Sequence, residues 1–197
     1  MKTIFKPAYW NILEVFYMNK NTPVHLRELS RRVGLQEGPL TRHLNKLVEE
    51  KILTSEFEGN LKKFSLKRSV IPRIFTVFDI QRFEDLPYIR KNSVKFYTSA
   101  LKEKPVLLIV FGSTAKGTHK KDSDIDIIAV FNRNIDTSEA RRKAEAQTGV
   151  RISEFQMSYD EFKLELKLKN DQVIQSGVET GILLFNHLFY YEELYDG

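Results

Sequence analysis

The feature that most constrains the fold is a pair of apolar runs separated by a polar loop. The first run, VLLIVF at residues 106–111, is rich in β-branched residues and is bounded by Pro105 and Gly112. The second run, IDIIAVF at residues 125–131, has Asp126 as its one charged residue. Continuous apolar runs between turn residues are typical of strands that are buried on both faces. We therefore predict two buried strands joined by the loop.

The loop opens with a glycine followed by a serine. Gly112 allows the backbone to turn tightly at the end of the first strand. Ser113 can then cap a short helix whose free N–H groups point at an anion. The pair predicts a cradle for phosphate groups.

Two carboxylates stand where the loop enters the second strand. Alternation along a strand puts Asp124 and Asp126 on the same face. Two like charges in this position repel each other unless a cation lies between them, and carboxylate oxygens suit Mg²⁺ that bridges to phosphates. The pair therefore predicts a metal site; the alternative is an ordinary polar turn that enters a strand.

These residues together carry a family resemblance. Gly112-Ser113, ten residues and then Asp124-Ile125-Asp126 resemble the signature of the nucleotidyltransferase superfamily that includes DNA polymerase β. Residues 112–130, GSTAKGTHKKDSDIDIIAV, are most similar to the minimal nucleotidyltransferases, which include antitoxins that adenylylate a partner toxin. The resemblance covers residues 102–186.

The resemblance implies both an activity and a set of binding residues. The expected reaction is the Mg²⁺-dependent transfer of a nucleoside monophosphate from a nucleoside triphosphate to an acceptor hydroxyl. The expected donor is ATP. One candidate for the acceptor is a partner protein or toxin. Two Mg²⁺ ions are expected on Asp124 and Asp126. The residues expected to bind the nucleotide are Gly112, Ser113, Lys116 and Ser123.

Sites that resemble polymerase β take a third carboxylate from the next strand. Residues 150–157 predict that strand, and alternation places Ile152, Glu154 and Gln156 on one face. We assign Glu154 as the third catalytic and metal-binding carboxylate, although an aspartate is commoner there in the family. The alternative is a strand residue that faces solvent.

The N-terminal part of the chain has the hydrophobic pattern of three short helices. Pro7 can begin the first helix, and residues 26–33 form the second. Residues 36–39 predict a turn, after which Leu40 begins an amphipathic third helix. Residues 51–57 and 61–66 then alternate as the strands of a hairpin.

Three helices followed by a hairpin make a winged helix-turn-helix, and residues 8–67 resemble those of small prokaryotic regulators. Residues 1–70 hold 13 Lys and Arg against 7 Asp and Glu, a net +6, whereas residues 71–197 hold 18 against 19, a net −1. Such asymmetry favours an anionic partner, and we expect double-stranded DNA. The expected DNA contacts lie on the third helix and in the hairpin: Thr41, Arg42, Asn45, Lys46, Lys62 and Lys63.

The alternative role for this domain is dimerisation or protein docking, because a fold does not fix a function. A second reading of the whole chain follows from the basic N-terminal part. In that reading the protein is a transcriptional regulator whose nucleotidyltransferase-like domain senses a nucleotide or docks a partner.

The predicted fold class is therefore α+β, with an N-terminal winged helix-turn-helix and a small mixed-sheet nucleotidyltransferase domain. We place the first domain at residues 1–70, connecting helices at residues 71–101 and the second domain at residues 102–197. Six aromatic residues occur in the connecting helices. We expect plain core packing for them, with interdomain packing or a homodimer contact as alternatives: Phe75, Phe78, Phe83, Tyr88, Phe96 and Tyr97.

Composition adds an expectation about location. The chain has no cysteine, which is consistent with a reducing cytoplasm. Residues 3–9 lack the apolar core of a secretory signal, and no apolar stretch approaches the ~18 residues that a membrane span needs. We expect a cytoplasmic protein that does not enter membranes.

Overall fold

The computed structural model describes residues 6–196, except for the side chain of Asp196. The chain divides into two compact units. One unit ends at Phe78 and takes in the C-terminal residues from Tyr191 onward, and the other runs from Asp79 to Tyr190. The predicted domain limits do not coincide with this division, and the first five residues of the predicted N-terminal domain lie outside the described residues.

Residues 7–66 of the first unit form three helices and a small antiparallel sheet, as the sequence predicts. The sheet has the strand order β1-β3-β2. Val24 pairs with Phe64 and so adds a third strand to the hairpin. The elements are α1 (Pro7–Met18), β1 (Val24–His25), α2 (Leu26–Val33), α3 (Glu37–Glu49), β2 (Leu53–Glu58) and β3 (Leu61–Leu66).

The start of α3 differs from the prediction. The helix begins at Glu37, so the turn predicted for residues 36–39 is wrong beyond Gln36, which is the N-cap. Pro39 lies in the first turn, where a missing N–H leaves no helical hydrogen bond unmade. Leu40, Leu44 and Leu47 form the buried stripe of the helix.

Aromatic side chains form much of the core of the first unit. In this unit Phe75 and Phe78 belong to α4 (Ile71–Glu84). The ring centroids of Trp10 and Phe78 are 4.7 Å apart, and Tyr17 meets Phe75 edge to face at 5.1 Å. Tyr191 also packs on Phe75, at 5.2 Å. The predicted core packing is confirmed for these two phenylalanines.

The second unit holds a four-stranded mixed sheet with the order β6-β5-β4-β7. β5 and β6 are parallel, and the other two pairs are antiparallel. Its elements are α5 (Tyr88–Ala100), β4 (Leu107–Phe111), α6 (Gly112–Lys116), β5 (Ile125–Phe131), α7 (Ser138–Thr148), β6 (Ile152–Ser158), α8 (Tyr159–Leu168), α9 (Gln172–Thr180) and β7 (Ile182–Leu183). The last helix, α10 (His187–Asp196), begins in this unit and belongs to the first unit from Tyr191 onward.

Both faces of the central strands are buried, as the apolar runs predict. One face packs with Val94 and Tyr97 of α5 and with Ala140 of α7. α9 approaches the other face so closely that a Cβ atom on Gly177 would lie 2.3 Å from Cδ1 of Ile128. Among the described residues, no helix has the length and apolar character needed to cross a membrane.

Two of the aromatic residues in α5 contradict the core-packing prediction. Tyr88 is 76% exposed and Phe96 is 42% exposed, whereas Tyr97 is fully buried. The reason is that α5 turns only one side toward the sheet, so the residues on its outer side remain in solvent.

Candidate active site

The end of β4 and the start of β5 bring the glycine turn against one of the two aspartates. Phe111, the last residue of β4, pairs with Asp126 of β5. Gly112 then turns the chain with a φ of 64°, and a Cβ atom there would lie 2.4 Å from Oδ2 of Asp126. Glycine is required both by the backbone conformation and by the closeness of the carboxylate.

Ser113 does not cap the short helix that follows. The N-cap of α6 is Phe111, without a side-chain hydrogen bond, and Ser113 lies in the first helical turn. The predicted serine cap is therefore wrong. The helix begins at Gly112, two residues before Thr114, where a serine cap would have started it.

The structure brings Asp124 and Asp126 together at the edge of the sheet. Burial raises the pKa of Asp126, the charge of Asp124 raises it further, and Arg90 opposes both effects. The side chain of Asp124 is 40% exposed. Two neighbouring carboxylates that are partly open to solvent suit a divalent cation with oxygen ligands, so the donor set fits Mg²⁺.

A buried arginine from α5 holds the loop that carries Asp124. Arg90 is 4% exposed, and its Nη1 donates to Oγ1 of Thr114 at 2.8 Å and to the carbonyl oxygen of Asp124 at 3.3 Å. Its Nη2 donates to the carbonyl oxygens of Lys120 and Ser123 at 3.0 and 2.7 Å. One guanidinium thus joins α6 to the loop before β5.

A second arginine holds α6 from another side. Arg82 donates through Nη2 to the carbonyl oxygen of Ala115 at 2.9 Å. It also donates to the carbonyl oxygens of Thr180 and Gly181, both at 3.1 Å. These bonds tie the last turn of α6 to the end of α9.

The other two residues predicted to bind the nucleotide, Ser123 and Lys116, lie in different surroundings. The hydroxyl of Ser123 accepts a hydrogen bond from the backbone N–H of Lys120 at 2.9 Å, so it closes the turn before Asp124. Lys116 is exposed in the last turn of α6, and Gly117 ends that helix with a φ of 70°.

Glu154 does not join the two aspartates, and its assignment to their site is wrong. In the parallel register of β5 and β6, Asp126 pairs with Ser153, and Glu154 pairs with the buried Ile127. Paired residues share a face, so Glu154 points to the opposite side of the sheet from Asp126. The predicted alternation along this strand holds, but the face chosen for the site was the wrong one.

The surroundings of Glu154 also exclude the solvent-facing alternative, because its side chain is 3% exposed. Its carboxylate accepts a hydrogen bond from Oγ1 of Thr137 at 2.5 Å and one from Gln156 at 3.1 Å. Arg141 approaches it to 3.3 Å. Burial, and then the charge of Glu154, raise the pKa of the Tyr97 hydroxyl. Glu154 thus belongs to a buried network between β6, α5 and α7.

The face beside the two aspartates carries a cation and a hydroxyl. Ser153, paired with Asp126, is exposed. Two residues earlier, Nη1 of Arg151 lies 4.0 Å from Oδ2 of Asp124, and the backbone of Arg151 accepts a hydrogen bond from Ile125 at 2.9 Å. Within residues 6–196 no group of three His, Cys, Asp or Glu side chains is placed to hold a metal ion.

The expected DNA contacts fall on two surfaces of the first unit. Arg42, Asn45 and Lys46 are exposed on α3, whereas Oγ1 of Thr41 donates to the carbonyl oxygen of Glu37 at 2.7 Å. The two lysines of the hairpin point to opposite faces. Nζ of Lys62 lies 5.3 Å from the ring centroid of Phe64, and Lys63 forms an ion pair with Glu58.

The two residues that most shape the site, Arg90 and Arg151, were not predicted. Arg90 lies in a stretch that the sequence presents as a connecting helix, and nothing in a helical pattern indicates which polar residue turns inward. The position of Arg151 can be predicted from the sequence once the face is known, because alternation from Ser153 places Arg151 on the same face as the aspartates.

Two family models match the chain. Residues 94–184 match the nucleotidyltransferase domain, a range that runs from α5 to just past β7. Residues 16–54 match the winged helix-turn-helix DNA-binding domain, from the end of α1 to the start of β2. Searches of curated proteins and of solved structures found no match.

Proposed function

Because the chain carries a nucleotidyltransferase domain after a winged helix-turn-helix DNA-binding domain, we propose that it transfers a nucleoside monophosphate from a nucleoside triphosphate to an acceptor hydroxyl. One observation carries this proposal. The glycine turn of α6 lies directly against Asp126, with Asp124 beside it, so a phosphate cradle and two carboxylates open at the same place.

Each part of the site has a distinct role in binding. The backbone N–H groups at the start of α6 bind the β- and γ-phosphates, and Lys116 neutralises their charge. Asp124 and Asp126 hold Mg²⁺. When bound, the metal aligns the phosphates and stabilises the charge that develops on them. Arg90 holds the loop that joins α6 to β5, and in this way it fixes the positions of the two carboxylates relative to α6.

The transfer exchanges one phosphorus–oxygen bond for another. The acceptor hydroxyl attacks the α-phosphorus while the bond to the bridging oxygen of the β-phosphate breaks, and pyrophosphate leaves. The hydroxyl proton passes to solvent water, which reaches this edge of the sheet because Ser153 is exposed. ATP is the first donor to test, and a hydroxyl on a partner protein is the first acceptor, because the loop resembles antitoxin-type enzymes.

Labelled transfer tests the proposal. The protein is incubated with Mg²⁺, a cell lysate and each nucleoside triphosphate labelled at the α-phosphate, and labelled macromolecules are separated. The wild type is expected to label an acceptor, and the double variant Asp124→Asn with Asp126→Asn is expected to label none. Asp160→Asn, an exposed carboxylate of α8, is the matched control. Equal labelling by the double variant contradicts the proposal.

A second function is favoured by the position of Glu154. Since this carboxylate points away from the aspartates, the site offers two acidic ligands instead of the three of the polymerase β pattern. A protein with this site is suited to bind a metal–nucleotide complex without turnover. It would then be a DNA-binding regulator that senses the nucleotide.

The two functions give different results in a DNA-binding assay. A sensor binds an operator with an affinity that changes when Mg²⁺ and a non-hydrolysable nucleotide are added, and it transfers no label to any acceptor. If label is transferred to an acceptor and this transfer depends on Asp124 and Asp126, the protein is not only a nucleotide sensor.

A further inference from the structure

The strand next to the two aspartates presents an arginine to them. Ser153 of β6 lies on the face that Asp126 shares, and Arg151, the residue just before β6, reaches Asp124 at 4.0 Å. On the side of the sheet where the polymerase β pattern has a third acid, this chain therefore offers a hydroxyl, Ser153, and a cation, Arg151. The nearest acid of β6, Glu154, lies on the buried side.

The contact between Arg151 and Asp124 is loose. Their side chains are 70% and 40% exposed, and the two atoms are at the outer limit of an ion pair. Exposed ion pairs of this kind contribute little to stability, so the guanidinium is free to exchange its partner. A guanidinium binds a phosphate group with two parallel hydrogen bonds, which is a stronger arrangement than a long contact with one carboxylate oxygen.

We propose that Arg151 is a phosphate-binding residue of this site: it neutralises Asp124 in the free protein and moves to the triphosphate when the metal–nucleotide complex binds. This inference rests on the nucleotide site of the proposed function. It assigns to Arg151 two opposite effects, because the same charge repels a divalent cation from the free carboxylates and attracts the phosphates.

The opposite effects separate this role from a purely structural one. The guanidinium of Arg151 lies 4.0 Å from Asp124 and competes with a metal ion for this carboxylate. Without nucleotide, the Arg151→Ala variant should therefore bind Mn²⁺ about threefold to fivefold more tightly than the wild type. The same variant loses a charged hydrogen bond to phosphate and should bind nucleotide about tenfold more weakly. A variant that merely distorted the strand would weaken both.

The experiment measures the two affinities separately. Free Mn²⁺ is followed by electron paramagnetic resonance in the absence of nucleotide, and binding of a fluorescent ATP analogue is followed in Mg²⁺. Arg151→Lys keeps the charge and should recover part of the nucleotide affinity. Arg133→Ala is the matched control, because Arg133 is 74% exposed and is likewise paired with an acid, Glu103.

Opposite shifts in Arg151→Ala, with neither shift in Arg133→Ala, establish the role of Arg151. Unchanged nucleotide affinity in Arg151→Ala, or a loss of both affinities, overturns it. Failure of the proposed transfer is a separate result. If the wild type binds Mn²⁺ and nucleotide and shows the opposite shifts but transfers no label, the phosphate-binding role stands and the transferase does not.

Discussion

Gly112 and Asp126 are in such close contact that a methyl group on the glycine would occupy the space of the carboxylate oxygen. A Cβ atom at Gly112 would lie 2.4 Å from Oδ2 of Asp126, and the backbone there has a φ of 64°. Because Oδ2 is at the end of a rotatable side chain, the carboxylate can move aside, but it then leaves its position beside the glycine turn.

This contact predicts that Gly112→Ala damages the site more than the fold. The positive φ costs ~1–2 kcal/mol for any residue with a Cβ atom, and displacement of Asp126 should lower transfer by about 100-fold or more. The matched control is Gly117→Ala, which has a φ of 70° and nothing within 4 Å of the added atom. Equal losses of transfer in the two variants, measured with labelled nucleotide, would mean that the contact with Asp126 is irrelevant.

Mg²⁺ should stabilise the folded protein through the two carboxylates. Burial and the charge of Asp124 raise the pKa of Asp126, so a bound cation relieves a repulsion that exists only in the folded state. At a concentration about tenfold above its dissociation constant, Mg²⁺ should stabilise the folded state by ~1.4 kcal/mol and raise the melting temperature by ~3–6 °C. Scanning calorimetry checks this. Asp126→Asn should show no such increase, and an increase equal to that of the wild type would place the metal elsewhere.

Arg90→Met should destabilise the second unit by ~3 kcal/mol, because it leaves four oxygen acceptors without their donor. Urea unfolding followed by circular dichroism measures the loss. Arg133→Met, which changes an exposed arginine, should remain within ~0.5 kcal/mol of the wild type. If both variants have the same stability as the wild type, Arg90 does not anchor the loop.

The two lysines of the hairpin should differ in DNA binding. Lys63 is engaged by Glu58, whereas Lys62 stands on the other face with Phe64. Lys62→Ala should therefore weaken binding to duplex DNA and lower the salt slope by ~1, with a smaller effect from Lys63→Ala. Fluorescence anisotropy across a salt series measures both. If Lys63→Ala weakened DNA binding more than Lys62→Ala, the face of the hairpin that carries Lys63 would be the one that contacts DNA.

The sequence was sufficient for the elements with strong periodicity. Leu40, Leu44 and Leu47 define a helix by spacing alone, and residues 106–111 and 125–131 define buried strands by continuous apolar character. The glycine and the two aspartates could be predicted because their chemistry depends on short-range spacing.

The rest of the site depends on pairing between distant segments. Alternation along β6 was predicted, but which face meets the aspartates is set by the register of Asp126 with Ser153, which no local pattern encodes. For this reason the prediction puts Glu154 on the aspartate face, where the structure has Ser153. Arg90 was missed because an inward-turning arginine on α5 is recognised only from the carbonyl groups that surround it.

The proposed transfer breaks the bond between the α-phosphorus and the oxygen that bridges to the β-phosphate, and labelled ATP shows directly whether this bond breaks. Parallel reactions contain Mg²⁺, lysate and ATP labelled at either the α- or the γ-phosphate, with the wild type and with the double variant of Asp124 and Asp126. We expect the wild type to transfer the α label to an acceptor and to release the γ label as pyrophosphate, and we expect the double variant to do neither. Transfer of the γ label to the acceptor would contradict the proposed transfer.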